Sequence, residues 1–94
     1  MRKSDFRSVI QPEFDELAST GMFPVHHVFG GIRNRKKCEK YGFLVCIHPR
    51  IHDEAHRNGN DGAGLYFKKQ AQAYYEQHIG SREDFIHEFG KNYL

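Results

Sequence analysis

The sequence has few cysteines and no long apolar run. Its two cysteines, Cys38 and Cys46, are eight positions apart and form no Cys-x-x-Cys pair, which fits neither a disulfide framework nor a thiolate zinc knuckle. The longest apolar run, Phe43 to Ile47, is far too short to span a bilayer. Mixed polar sequence, and not the apolar region of a secretory signal, follows Met1-Arg2-Lys3. We therefore expect a cytoplasmic protein in a reducing compartment, without a membrane role.

The length of the chain limits it to one core. A chain of 94 residues has enough apolar surface for one hydrophobic core and none to spare for a second. Aliphatic residues are modest in number, but eight Phe and five Tyr each bury a large area. We expect a single domain over 1–94, to whose stability a bound metal ion would add.

The basic residues are concentrated in one segment. The net charge is only +2, but residues 29–40 carry +4, whereas 1–28 and 41–63 are each −1 and 64–94 is neutral. The basic side chains of this segment belong to Arg33, Arg35, Lys36, Lys37 and Lys40. Such a segment fits the phosphate backbone of a nucleic acid, although a basic loop is also commonly just a solvated connection.

Two strands are predicted on either side of the basic segment. Met22 to Phe29 is rich in β-forming residues and ends at Gly30-Gly31, which predicts a strand. Tyr41 to Ile47 is a second strand-like run bounded by Gly42 and Pro49. Residues 30–40 show no apolar period, which predicts a loop. The two strands and the loop together predict a hairpin.

Short helices are predicted before and after this hairpin. Gln11 to Leu17 fits the start of a helix that Ser19-Thr20-Gly21 would end. Pro49 suits the first position of a helix over about 49–57, with Asp53 and Glu54 near its positive end.

The C-terminal third is predicted to be helical. The turn-forming residues of 58–64 should break the chain. Phe67, Ala71, Tyr74 and His78 then recur at helical spacing, up to a stop at Gly80. A capping box at 81–84 would open a last helix with Phe85, Ile86 and Phe89 inward. The aromatic residues of this region are expected in the core, with a dimer face as the alternative.

Two histidines are spaced for one face of a predicted helix. His52 and His56 are four positions apart, so both imidazoles would project about one turn apart and could share a metal ion. The alternative is an exposed helix that carries two histidines by chance. The pair alone does not decide between these interpretations.

Another pair, His26-His27, ends the first predicted strand. Adjacent side chains of a strand face opposite ways, so the two rings would not normally share one ion. One of them can complete a three-histidine metal shell with His52 and His56, leaving a coordination position open. The other can act as a general base, since an unperturbed imidazole titrates near neutral pH. An ordinary strand end with one buried and one exposed histidine is an alternative.

The combination of a His-His strand end, a basic segment, a second strand and a His-x-x-x-His helix resembles a known superfamily. His26-His27, followed after 24 residues by His52 within Pro49–Arg57, resembles the catalytic end of HNH (His-Me finger, ββα-metal) nucleases, including the colicin DNases. Over roughly 22–94 the chain also looks like small phage- and prophage-encoded members of this superfamily. The segments concerned are His27–Gly31, Glu39–Phe43, Ala55–Asn58 and Phe89–Leu94.

The resemblance implies an α+β fold. A ββα-metal motif, which is a β-hairpin followed by a short helix, would occupy 22–58, and C-terminal helices over 64–94 would pack against it. A phage or prophage origin would place the protein in the cytoplasm of a bacterial host.

The resemblance also implies residue roles. His27 matches the general base, and His26, His52 and His56 match metal-ligand positions. Asn34 is the candidate for the family's middle asparagine, which orients the connecting loop, although it is closer to His27 than expected. Related phage proteins often carry a Cys-x-x-Cys knuckle upstream, but residues 14–19 contain no cysteine, so we expect no structural zinc.

The implied activity is metal-dependent hydrolysis of phosphodiester bonds in DNA. Zn²⁺, Ni²⁺ and Mn²⁺ suit imidazole ligands, and Mg²⁺ is a further candidate; the ion would offset charge that develops in the transition state. The side chains expected to hold the DNA backbone, with weak sequence specificity, are Arg33, Arg35, Lys36 and Lys37. A homodimer is a further possibility.

Two competing interpretations keep the histidines but not the activity. The protein could be a phage nucleic-acid-binding or recombination accessory protein that retains the HNH fold without turnover. It could instead be a structural metalloprotein, which chelation would unfold.

The remaining histidines receive no role. His48 precedes Pro49 and should lie outside the helix, while His78 and His87 fall within the later helical segments.

Overall fold

The computed structural model describes residues 6–57 and 62–94, and for residues 54–57 it describes the backbone alone. In chain order the described elements are α1 (Phe14–Thr20), β1 (Val25–His27), α2 (Ile32–Tyr41), β2 (Leu44–Cys46), α3 (Pro49–Arg57), α4 (Gly62–His78) and α5 (Arg82–Phe89). The described part of the chain thus combines helices with a small sheet, as the predicted α+β class requires. No helix within it is long and apolar enough to cross a membrane.

The two predicted strands pair antiparallel, as expected for a hairpin. Val25 lies opposite Cys46, His26 opposite Val45, and His27 opposite Leu44. Both strands are shorter than the predicted runs of 22–29 and 41–47. The second is shortened because Tyr41 still belongs to α2, which ends at Gly42 in a left-handed conformation with φ of 80°.

The prediction of a loop over 30–40 was wrong, because the strands are joined by the helix α2. Its arginines, lysines and glutamate are good helix formers. Much of the helix surface faces solvent, so a helix can form here without an apolar stripe. A tertiary contact holds the helix to the segment that follows β1: Cys38 is fully buried, and Phe29 N–H donates to its Sγ at 3.4 Å.

Three of the helix ends follow the sequence signals. α1 ends at Gly21, which has a φ of 70°, and α3 begins at Pro49 as predicted. The capping box of α5 is confirmed: Asp84 N–H donates to Ser81 Oγ at 3.1 Å, and Ser81 N–H donates to Asp84 Oδ2 at 3.0 Å.

Two details of the C-terminal prediction were wrong. Residues 58–61 of the predicted break lie outside the described residues, but 62–64 already belong to α4. Gly64 is buried there, so packing outweighs the roughly 1 kcal/mol that glycine costs in a helix. In α5, Phe85 and Phe89 are buried as predicted, whereas Ile86 is exposed.

The core is largely aromatic. Phe29 follows β1, and its ring centre lies 4.6 Å from that of Phe89 and 5.6 Å from that of Phe85. Phe43 and Tyr75 are also buried, and Tyr74 and Tyr93 pack against them. The aromatic residues therefore attach α4 and α5 to the sheet, which is the core role expected of them.

Candidate active site

The end of β1 places its two histidines differently. His26 is 4% exposed and lies opposite the buried Val45. His27 is half-buried and lies opposite Leu44. This difference agrees with the expectation that adjacent strand side chains face opposite ways.

Helix α3 brings His52 to His26. The helix starts directly after β2, with His52 N–H donating to the carbonyl oxygen of His48 at 2.9 Å. The His52 and His26 rings meet edge to face, with centres 5.4 Å apart and planes at 89°. His48 itself precedes the helix, as predicted, and its exposed ring accepts a hydrogen bond from Arg50 N–H at 3.1 Å.

His27 and His52 line a common cleft of about 490 Å³. The Gly30-Gly31 turn forms part of its wall, and Ile32 and Arg35 from the first turns of α2 also line it. Arg35 is exposed, so its guanidinium is accessible to an anion in the cleft. The cleft therefore combines two imidazoles with one cation.

A carboxylate from α2 holds the His27 ring. His27 Nε2 lies 3.1 Å from Glu39 Oε2, and the two side chains are 14% and 21% exposed. In the sequence, Glu39 belongs to the Glu39–Phe43 segment and carries a negative charge within the basic segment, but nothing there indicated a role in the site. Arg35 and Glu39 are four residues apart and share one helix face. This spacing would have placed both residues near the cleft only if α2 had been recognised as a helix.

The N-terminal segment also contacts His27. The Phe6 and imidazole rings meet edge to face, with ring centres 6.0 Å apart. This segment is attached to the ends of α2 and β2: Val9 N–H donates to the Gly42 carbonyl at 2.9 Å, and Gln11 exchanges two hydrogen bonds with the backbone of Cys46. The sequence had no signal for this contact, because Phe6 and His27 are far apart in the chain.

The four predicted DNA-binding side chains are not equivalent. Arg33, Arg35 and Lys36 are exposed on α2. Lys37 is half-buried, and its ammonium donates to the carbonyl oxygen of Glu88 and lies 5.6 Å from the centre of the Phe89 ring. The structure thus places Lys37 against α5 and apart from the cleft.

Asn34 lies beside the cleft, in α2. Its Nδ2 donates to the carbonyl oxygen of Gly30 at 2.9 Å. This bond ties the first turn of α2 to the turn that lines the cleft.

The predicted metal ligands can be compared with the geometry of a metal centre. Two imidazoles bound to one zinc ion at about 2.0–2.1 Å would have ring centres roughly 5 Å apart, which the His26–His52 separation of 5.4 Å matches. His56 lies one turn further along α3, but its side chain is outside the described residues. Among the side chains that are described, no group of three or more His, Cys, Asp or Glu residues could hold an ion. The separation of the described pair is therefore compatible with a shared ion, and it is equally that of two rings in direct edge-to-face contact.

Cys38 does not contribute a nucleophile to this region. Burial raises the pKa of its thiol to about 11, so the thiolate is scarce at neutral pH. Its Sγ instead contacts both the N–H and the carbonyl of Phe29. The residue next to Glu39 is thereby attached to the backbone just after β1.

Comparison of the chain with protein-family models, with curated proteins and with solved structures finds no match in any of the three. Its function must therefore be inferred from the cleft and from the chemistry of the residues around it.

Proposed function

We propose that the protein is a metal-dependent endonuclease of the ββα-metal (HNH) type that hydrolyses phosphodiester bonds in DNA. The proposal is supported by the order of elements, in which an antiparallel strand pair leads directly into α3. The observation that carries it is the arrangement of three histidines: His52 packs against His26 and shares a cleft with His27.

His27 is the proposed general base. It lines the cleft, is only partly exposed, and has one ring nitrogen engaged by Glu39. Its other ring nitrogen takes a proton from a water molecule, whose oxygen then forms a bond to phosphorus as the bond from phosphorus to the 3′-oxygen breaks. A positioned base of this kind contributes roughly 10²–10⁴-fold to a rate.

The metal would be held by His26 and His52, with His56 as the third proposed ligand. A bound Zn²⁺, Ni²⁺, Mn²⁺ or Mg²⁺ ion supplies Lewis-acid stabilisation of the charge that develops on the phosphate and the leaving oxygen. The protein's own contribution is rigidity, because His26 is 4% exposed and packs against the His52 ring.

The cations of α2 would bind the DNA backbone. Arg35 lines the cleft and would contact the phosphate that is cut. Arg33 and Lys36 are exposed on the same helix and would contact flanking phosphates. Phosphate contacts position a duplex without reading its bases, so binding should be weakly sequence-specific and should fall steeply with salt.

A plasmid-nicking assay tests this proposal. Wild type is compared with His27→Ala, His52→Ala and His56→Ala in each of the four metals, and His87→Ala on α5 serves as the matched control. We expect cleavage by wild type and by the control, and a loss of about 10²–10⁴-fold in His27→Ala.

The outcomes separate the competing functions. Absence of cleavage by wild type in every metal would overturn the enzyme proposal, and DNA binding retained in that case would point to an accessory protein. Unfolding on chelation, without DNA binding above background, would point to a structural metal site. Activity that survives His27→Ala would overturn the choice of base.

A further inference from the structure

We propose that Glu39 is a positioning residue that holds the His27 ring with its proton on Nε2 and leaves Nδ1 to accept a proton in the cleft. This inference rests on the proposed function, because it assigns one nitrogen of the proposed base to the chemistry.

The assignment of the nitrogen follows from the chemistry of the contact. A carboxylate can only accept hydrogen bonds, so His27 Nε2, 3.1 Å from Glu39 Oε2, must donate its N–H. A neutral imidazole carries one proton, which leaves a lone pair on Nδ1. Glu39 therefore selects one tautomer of the ring.

The carboxylate is itself held in place. Glu39 lies in the last turns of α2, next to Cys38, whose buried Sγ contacts the backbone of Phe29. Lys37, which directly precedes Cys38 in the sequence, is attached to the end of α5. Because neighbouring residues of a helix project about 100° apart, these two anchors lie on different sides of α2 and restrict its rotation, so Glu39 keeps its direction towards β1.

The ring is also held by Phe6. The two rings meet edge to face at an interplanar angle of 84°, and Arg7, the next residue, donates to the carbonyl oxygen of Lys40 at 2.7 Å. A ring fixed by one hydrogen bond and one aromatic contact loses little orientational freedom before reaction, which is what a base needs to act at a defined point.

The proton can be followed through the reaction. Nδ1 takes a proton from water, the hydroxide oxygen bonds to phosphorus, and the bond from phosphorus to the 3′-oxygen breaks. The leaving 3′-oxygen takes a proton from solvent, and Nδ1 returns its own proton to solvent before the next turnover. Between these events the ring is a cation with Nε2–H directed at Glu39, whose negative charge stabilises it.

A double-mutant comparison tests whether Glu39 acts through His27. Glu39→Gln has the same shape but an amide that can either donate or accept, so it no longer selects a tautomer. We expect kcat to fall roughly tenfold to hundredfold, because Glu39→Gln removes only part of the rate enhancement that the base supplies. KM and metal affinity should stay unchanged. Glu83→Gln, on exposed α5 surface, should behave as wild type.

The same substitution in a His27→Ala background should have no further effect, because residues that act as a unit are not additive. A further fall in kcat of tenfold or more in the double variant would show that Glu39 acts by another route and would overturn the proposal.

A spectroscopic readout distinguishes this inference from the proposed function. Long-range ¹H–¹⁵N spectra of the imidazoles, assigned with His27→Ala, should show the Nε2–H tautomer in wild type and a mixture in Glu39→Gln. An unchanged tautomer in Glu39→Gln would overturn the inference, even if the protein cleaves DNA. A tautomer that depends on Glu39 in a protein that cleaves no DNA would support the pairing and refute only the nuclease.

Discussion

Glu39 and Glu88 each accept hydrogen bonds from ring-bearing side chains, but their surroundings differ. Glu88 Oε1 accepts from the Tyr41 hydroxyl at 2.6 Å, and Oε2 accepts from the Tyr75 hydroxyl at 2.8 Å. Glu39 meets only the His27 ring among the hydrogen-bonding partners that the structure describes for it, and that ring opens on a cleft.

The difference indicates two uses of the same residue type. Around Glu88 both oxygens have partners, and the Tyr41 and Tyr75 rings pack against Phe89. Such a group contributes to the stability of the fold. Around His27 one ring nitrogen is engaged and the ring borders open space, which suits a group that must exchange protons. We therefore expect substitutions at the cleft to change activity, and substitutions near Glu88 to change stability.

The largest expected effect is on activity at the cleft. His27→Ala should lower kcat by about 10²–10⁴-fold. Because the side chain is 14% exposed and contacts Glu39 and Phe6, the substitution should also lower the free energy of unfolding by about 1–2 kcal/mol, which is less than a core substitution costs. The nicking assay measures kcat, and urea titration of the same samples measures the free energy of unfolding. A loss of stability comparable to a core substitution would erase the contrast between the two regions.

The largest expected effect on stability is in the aromatic core. Phe85 is fully buried against Phe29, Phe89 and Tyr75. Phe85→Ala should cost about 3–5 kcal/mol, because it removes buried area and leaves a cavity. Denaturant unfolding measures the loss, and Ile86→Ala on the exposed side of the same helix is the control, for which less than about 1 kcal/mol is expected.

The same substitution in both regions gives the most direct comparison. Glu88→Gln should destabilise the fold by about 1–2 kcal/mol, because a neutral amide weakens two charge-assisted hydrogen bonds, and should leave the kcat of the folded protein unchanged. Glu39→Gln should do the reverse. Equal effects of the two variants on both stability and kcat would contradict the division.

A smaller effect is expected at alkaline pH. Burial and the Glu88 carboxylate raise the pKa of Tyr41 from 10.0 to about 12 and also raise the pKa of Tyr75. A raised pKa means that folding favours the protonated tyrosines. The stability that these tyrosines contribute is therefore complete below about pH 10 and is lost as the pH rises towards about 12. Denaturant titrations across this range should show the decline, and Tyr41→Phe should make it shallower. A stability that does not change with pH in this range would argue against the Glu88 contacts.

Much of the fold could be predicted from local signals. Gly21 ends α1, Pro49 begins α3 and Ser81 caps α5 because each of these residues satisfies, or does not need, a backbone hydrogen bond at a helix end. The antiparallel strand pair was likewise predicted from its β-forming runs.

The helix α2 could not be predicted in this way. Half of its ten residues are arginine or lysine, and its sequence has no apolar stripe, so periodicity favoured a loop. The helix is held by contacts from outside it, namely Cys38 to Phe29, Lys37 to the end of α5, and Tyr41 to Glu88.

Sequence by itself determined which chemistry is available to this protein: paired histidines at a strand end, histidines at helical spacing, and a basic segment between them. Tertiary structure decided which of these groups meet. It places His52 against His26, and it places Glu39 and Phe6 against His27. It also places Lys37 against α5, apart from the other cations. The physical reason is that spacing along the chain specifies the face of a helix or strand, whereas contacts between elements depend on how the aromatic core packs them together.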